Sequence, residues 1–219
     1  MGPIAVWSVK GGVGVTSVAA MLAISQAESA HETLLVDLCG DLPALLGIPE
    51  PTGPGLVDWC ALATPTADGL ARIEVDIQVG LRLLPLGEGG LPATAPALVD
   101  ALRQSTRRVI IDCGLVRTTG LRRHIVLESP ERLLVLRACY LNLKHTQNET
   151  TTATGVVLLK EPRRSLGRAD VEAVAGAPVV AELAVDHSVA RWVDSGLLAS
   201  RLPRSLLHTL DAAVSNATA

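Results

Sequence analysis

Short apolar runs alternate along the chain with segments of helical spacing. Runs at residues 4–9, 33–37, 80–84, 108–112, 132–137, 155–159 and 178–183 are rich in Val, Ile and Leu and have strand length. Between and after them, residues 16–28, 96–104, 141–150, 170–175, 189–194 and 204–214 carry apolar positions at helical intervals. LLVD at 34–37, VIID at 109–112 and GVVLL at 155–159 are apolar on both faces of a strand. A strand with no polar face needs cover on both sides. The pattern therefore predicts an α/β fold: a mostly parallel sheet with helices on both faces.

The Pro/Gly-rich stretch at 48–55 and GEGGLPATAP at 87–96 read as surface loops, since strand-like runs continue on either side. No internal repeat is present, and only residues 215–219 have a low-complexity character. With 219 residues, 48% of them hydrophobic and 19% charged, the chain can bury a sizeable core, and a single domain over 1–219 is expected. Phe is absent and Tyr140 is the lone tyrosine, so aliphatic side chains must fill that core. Aromatic platforms for stacking bases are correspondingly scarce, which argues against single-stranded nucleic acid as a ligand. A net charge of −3 gives no overall attraction to DNA or anionic lipid.

The apolar run at 4–9 is too short for a secretory signal and leads straight into glycines, and no apolar stretch reaches the length of a membrane span. A cytoplasmic protein is expected. Cys39, Cys60, Cys113 and Cys139 are widely spaced and form neither a CxxC pair nor a Cys/His cluster, so they read as buried, reduced thiols.

The chemistry begins at VWSVKGGVGVTS, residues 6–17, where a strand gives way to a helix. Glycines at such a junction let successive backbone N–H groups curl around a phosphate, with the helix N-terminus adding partial positive charge. The segment resembles the deviant Walker A motif of the MinD/ParA family, to which Lys10, Gly11, Gly12, Gly14, Thr16 and Ser17 conform. The resemblance implies a P-loop fold that binds ATP or ADP with Mg²⁺ on Lys10, Gly11, Gly12, Val13, Gly14, Val15, Thr16 and Ser17. It implies that Thr16 holds Mg²⁺ and that Lys10 reaches the partner's phosphates in a nucleotide-sandwich homodimer.

The chain departs from the family where a second lysine would touch the β- and γ-phosphates, a position held here by Val15. Losing one charge-assisted hydrogen bond of about 1.5–3 kcal/mol lowers affinity by roughly one to two powers of ten.

LLVDLCGDLPALLGI, residues 34–48, resembles the family's DxD segment. Asp37 matches the first carboxylate, Cys39 replaces the second, and Asp41 would substitute for it only with a rearranged loop. RRVIIDCGL ends a strand at Asp112, the position of the Walker B acid that orients Mg²⁺ and water. Asp37 and Asp112 are thus the candidate catalytic acids, and Thr16 with Asp112 the candidate metal site. Cys39 and Cys113 each come directly after or close behind a strand-end Asp and would approach one another, although two cysteines alone make a poor metal site.

After Asp112 the resemblance is one of pattern. ERLLVLRACYLNLKH is similar to the strand and helix after Walker B. Residues 153–186, together with VARWVDSGLL, are similar to the closing part of CpaE/TadZ-like members, in which a base-contacting loop, a last strand and a C-terminal helix complete the nucleotide pocket and dimer face.

Arg107, Arg108, Arg117, Arg122, Arg123, Arg163 and Arg164 would make a DNA-binding patch only if clustered, and scattered solvated side chains are the expectation. The last helix sets Leu206, Leu207, Leu210 and Val214 on one face; being short and poor in lysine, it should pack on the domain and not on a membrane. Trp7, Trp59 and Trp192 are assigned to the core or an interface.

Two functions are compatible with these residues. The favoured one is a non-hydrolytic or barely hydrolytic scaffold that dimerises and is read by an unidentified protein partner. The alternative is a working ATPase that positions a pilus, secretion, division or DNA-partition machine. A small-molecule ligase or reductase of the same superfamily ranks third, because no substrate pocket can be identified.

Overall fold

The computed structural model describes residues 2–162, 164–185 and 187–217. Among these residues the strands are β1 (Ile4–Ser8), β2 (Thr33–Asp37), β3 (Val75–Gln78), β4 (Leu81–Leu84), β5 (Arg108–Leu115), β6 (Glu131–Arg137), β7 (Gly155–Lys160) and β8 (Val179–Ala184). The first six helices are α1 (Val15–Glu28), α2 (Leu42–Leu46), α3 (Leu56–Cys60), α4 (Ala67–Arg72), α5 (Pro96–Gln104) and α6 (Leu121–Glu128). After them come α7 (Tyr140–Gln147), α8 (Arg168–Ala175), α9 (His187–Asp194), α10 (Leu198–Arg201) and α11 (Arg204–Ala217).

The strands form one sheet in the order β3-β4-β2-β5-β1-β6-β7-β8. Every neighbouring pair is parallel except β3 with β4. The predicted mostly parallel α/β layer fold is therefore present. Strand alternation divides the core in two. Ala5, Trp7, Leu34 and Val36 face α5 and α6 on one side, whereas Ile4, Val6 and Leu35 face α1 and α11 on the other.

Helix α1 is buried without a break from Val18 to Gln26. A helix apolar all round needs cover on every side, and the sheet supplies one cover while α11 supplies another. Ser25 Oγ donates to the Leu207 carbonyl at 2.8 Å, and Gln26 Nε2 donates to Asp211 Oδ1 at 2.8 Å. Leu210 and Val214 are buried in the same cluster. The apolar face of α11 is thus spent on the domain, as its sequence predicts.

Strand β3 escapes the sequence pattern because VDIQ is a short, half-exposed edge strand with a single neighbour. It is held at its start by Glu74, whose buried carboxylate accepts two hydrogen bonds from Arg107 at 2.7 and 2.8 Å and meets Arg82 at 3.3 Å. Helices α2, α3, α4 and α10 have four to six residues each, too few for periodicity to register. The 48–55 and 87–95 stretches are loops, as expected. The cysteines are free, but only Cys113 is fully buried; Cys39, Cys60 and Cys139 are half-buried. Trp7 and Trp59 lie in the core and Trp192 is half-buried.

Candidate functional site

Residues 9–14 form the turn between β1 and α1. Gly12 and Gly14 have φ of +72° and +101°, a left-handed backbone that glycine adopts without a Cβ penalty. Gly14 caps α1 with no side chain, and the first helical hydrogen bond runs from Val18 N–H to the Gly14 carbonyl. The N–H groups of Val15, Thr16 and Ser17 are therefore left without intrahelical acceptors, as at any helix start. They lie along a cleft of about 350 Å³ that Gly11 to Ser17 line on one side. Ser8 Oγ donates to the Lys10 carbonyl at 2.9 Å and steadies the entry to the loop.

Within the loop, Val13 and Val15 turn inwards. Their exposures of 2% and 6% place them in the core cluster beneath the loop, so the first position of α1 offers an aliphatic surface and no charge. Thr16 and Ser17 are half-buried at the cleft. Lys10 is half-buried and does not line the cleft; among the described residues it has no ion-pair partner.

The opposite wall comes from the ends of β2 and β5. Asp37 is fully buried, and its Oδ1 accepts from the N–H groups of Cys39 and Gly40 at 2.8 and 2.7 Å, its Oδ2 from Leu42 N–H at 3.2 Å. It closes the turn after β2 and does not itself line the cleft. That turn brings Cys39 and Asp41 to the cleft wall. Asp41 precedes α2, is exposed and makes no side-chain cap to that helix.

Asp112 is also fully buried. Its Oδ1 accepts from Gly114 N–H at 3.0 Å, while Oδ2 is buried without a hydrogen-bond partner. Burial pushes the carboxyl pKa up to about 6; the nearby Thr16 hydroxyl pulls it down and the Asp37 charge adds to the rise. Asp112, like Asp37, does not itself line the cleft, but its orphaned oxygen adjoins the hydroxyl of Thr16, which does, and that pair fits a Mg²⁺ ion at a phosphate held on the loop amides. Thr16 and Asp112 would hold the cation, which would supply charge neutralisation at the phosphates. Among the described residues no cluster of three or more His, Cys, Asp or Glu side chains could bind a metal on its own.

Cys39 Sγ lies 3.7 Å from the Asp112 carbonyl. Burial raises the Cys39 thiol out of the range in which it ionises, and does the same to Cys113. These thiols are correspondingly poor nucleophiles and metal ligands.

Next to the loop, an apolar cavity of about 250 Å³ shares Gly14 and Ser17 with the cleft and continues to Leu159, Leu183, Val189 and Leu206, with Arg137 at its edge. A Cβ on Gly14 would stand 3.1 Å from Leu159 Cδ1, so a side chain here would crowd a lining residue of the apolar cavity.

The arginines proposed for DNA are dispersed. Arg108 is buried at the start of β5, and Arg107 is bound to Glu74 there. Arg122 lines the cleft beyond the other end of that strand. Arg123 pairs with Glu149 at 2.8 Å and Arg164 pairs with Glu161. Arg163 lies outside the described residues. Among the described residues no helix is long and apolar enough to cross a membrane.

The fold is shared with solved structures of low identity. MinD of Pyrococcus horikoshii, complexed with Mg-ADP, superposes with a TM-score of 0.77 at 20% identity, covering 97% of this chain and 94% of the other. The cell division ATPase MinD of Pyrococcus furiosus gives 0.78 at 21%, covering 97% and 98%. A ParA family ATPase from Chlorobium tepidum gives 0.72 at 18%, covering 97% of each chain. No curated protein matches the chain. The family model described as cellulose biosynthesis protein BcsQ matches residues 1–157, a stretch that runs from β1 into β7 and includes the glycine loop, Asp37 and Asp112. With a MinD/ParA-type P-loop fold and that match over most of its length, the chain belongs to the BcsQ family.

Proposed function

We propose that the chain is a nucleotide-binding scaffold, non-hydrolytic or very weakly hydrolytic, whose output is dimerisation. The phosphates of ATP or ADP rest on the amides of residues 11–17, with Mg²⁺ at Thr16 and Asp112 and the base in the apolar cavity beside Gly14. The observation that carries this reading is Val15. Its side chain is 6% exposed and belongs to the core, so the first turn of α1 holds a phosphate through backbone dipoles alone. Binding is weakened accordingly. Asp37 acts here by holding the turn that carries Cys39 and Asp41, and Cys39 cannot orient an attacking water as a carboxylate does.

Lys10, unpaired among the described residues, faces a second copy of the chain. Nucleotide shifts the population towards the dimer, and a protein partner reads that state. The family description points to cellulose biosynthesis as the setting. The solved structures of the same fold are cell-division and ParA family ATPases, which favours a role in positioning or assembling a cellular machine over small-molecule chemistry. Dispersed arginines and a docked α11 speak against DNA and membrane as partners.

A second reading, slow ATP hydrolysis, draws support from Asp41, which lines the cleft where a water-orienting carboxylate is needed.

Sedimentation with and without Mg-ATP, in wild type and Lys10→Ala, tests the switch. Wild type should move towards dimer with nucleotide while Lys10→Ala stays where it is. If neither nucleotide nor the substitution changes the oligomeric state, the switch is wrong. Sustained phosphate release by the wild type would establish the second reading in its place.

A further inference from the structure

Arg122 is the second residue of α6, and its side chain lines two cavities at once: the cleft of about 350 Å³ along the glycine loop and a neighbouring one of about 500 Å³ under the 89–93 loop. Its Nη1 comes within 3.9 Å of the place a Cβ would occupy on Gly114, so the guanidinium sits over the end of β5 opposite the glycine loop. Arg122 is the one cationic side chain that lines the cleft among the described residues.

Arg123, Arg107 and Arg137 are committed to Glu149, Glu74 and Glu161, and Arg117, which is exposed, lines the neighbouring cavity but not the cleft. Arg122 is half-buried and has no carboxylate in ion-pair range among the described residues. A half-buried guanidinium left without a counter-charge is an arrangement that an incoming anion relieves. Its field already reaches the cleft floor, where it opposes the effect of burial on Cys39 and Cys113.

We propose that Arg122 is the phosphate-binding cation of this cleft and offsets part of the charge that Val15 does not supply. The apolar cavity lies on the Gly14–Leu159 side of the loop and Arg122 on the Gly114 side. A nucleoside di- or triphosphate laid across the loop therefore presents its terminal phosphate to the guanidinium. The proposal rests on the nucleotide reading above and names the side chain that makes it work without a lysine at position 15.

The test is calorimetric titration of Mg-ATP, Mg-ADP and pyrophosphate into wild type, Arg122→Ala, Arg122→Lys and, as a control, Arg103→Ala, whose side chain pairs with Glu128 on α6. Arg122→Ala should weaken Mg-ATP binding by about tenfold or more, the scale of one charge-assisted hydrogen bond, and flatten its salt dependence. Arg122→Lys should fall between, which separates charge from damaged folding, and Arg103→Ala should match wild type. Pyrophosphate binding that is equally sensitive to Arg122 supports the role and assigns it to the phosphates alone. If wild type binds nucleotide and Arg122→Ala binds it as well, the role of Arg122 is refuted while the nucleotide reading stands. If wild type binds none of the three ligands, both are refuted.

Discussion

Asp37, the last residue of β2, and Asp112, the fifth residue of β5, are register partners on adjacent parallel strands, and both are fully closed off from solvent. Burial raises the pKa of each. Asp37 is compensated by three backbone N–H groups, whereas Asp112 keeps one oxygen without a partner. Two carboxylates side by side are costly for a protein to hold when both are ionised. The relief that suits Asp112 is a proton or a cation, which is why the pair marks the site.

Asp112 makes stability depend on pH in an unusual direction for an acid. Its folded-state pKa of about 6 lies above the usual value of about 3.9, so the folded chain keeps the proton longer than the unfolded one. Stability attributable to this group is present below about pH 4 and is lost as pH rises through about 6, by on the order of 3 kcal/mol at most. Asp112→Asn, whose Oδ1 can still accept from Gly114 N–H, should be about 1–3 kcal/mol more stable than wild type at pH 7, and the two should converge near pH 4. Urea unfolding across pH 4–7 without Mg²⁺ measures this. A difference that does not vary with pH would rule the explanation out.

Asp37 should behave as a structural anchor. Asp37→Ala leaves the N–H groups of Cys39, Gly40 and Leu42 without their acceptor and should cost about 2–4 kcal/mol. Asp37→Asn retains an oxygen for the two short bonds and loses the one to Leu42, so it should cost roughly half as much. Equal losses in the two variants, read by denaturant unfolding, would mean that these hydrogen bonds are not what Asp37 contributes.

Most of the sheet was legible because LLVD, VIID and GVVLL have no polar face, and a strand of that kind has few places to go except the middle of a covered sheet. VDIQ at the edge sends no such signal, and helices of four to six residues cannot show a period. The positions of the glycine loop, Thr16, Asp37 and Asp112 follow from local chain geometry, since each sits near a strand end or in a strand-to-helix turn, but that Asp37 closes a turn and stays out of the cleft was not legible. Nor were Arg122 and Asp41. Arg122 looked like half of a surface Arg pair, because only the approach of α6 to the end of β5 carries it to the cleft. Asp41 lies two residues beyond the position of the second carboxylate, and only the turn held by the three amide bonds to Asp37 shows that it lines the cleft.

On the proposed reading, the loop binds nucleotide weakly through its amides and turns it over little or not at all, because Val15 supplies no charge. Titrating Mg-ATP and Mg-ADP into wild type and Val15→Lys, with phosphate release monitored in both, tests it most directly. Wild type should bind measurably without sustained phosphate release, and Val15→Lys should bind more tightly by about tenfold to a hundredfold. Sustained phosphate release by wild type, no binding to it, or unchanged affinity in Val15→Lys would mean that the loop is not a weakened, amide-only phosphate site.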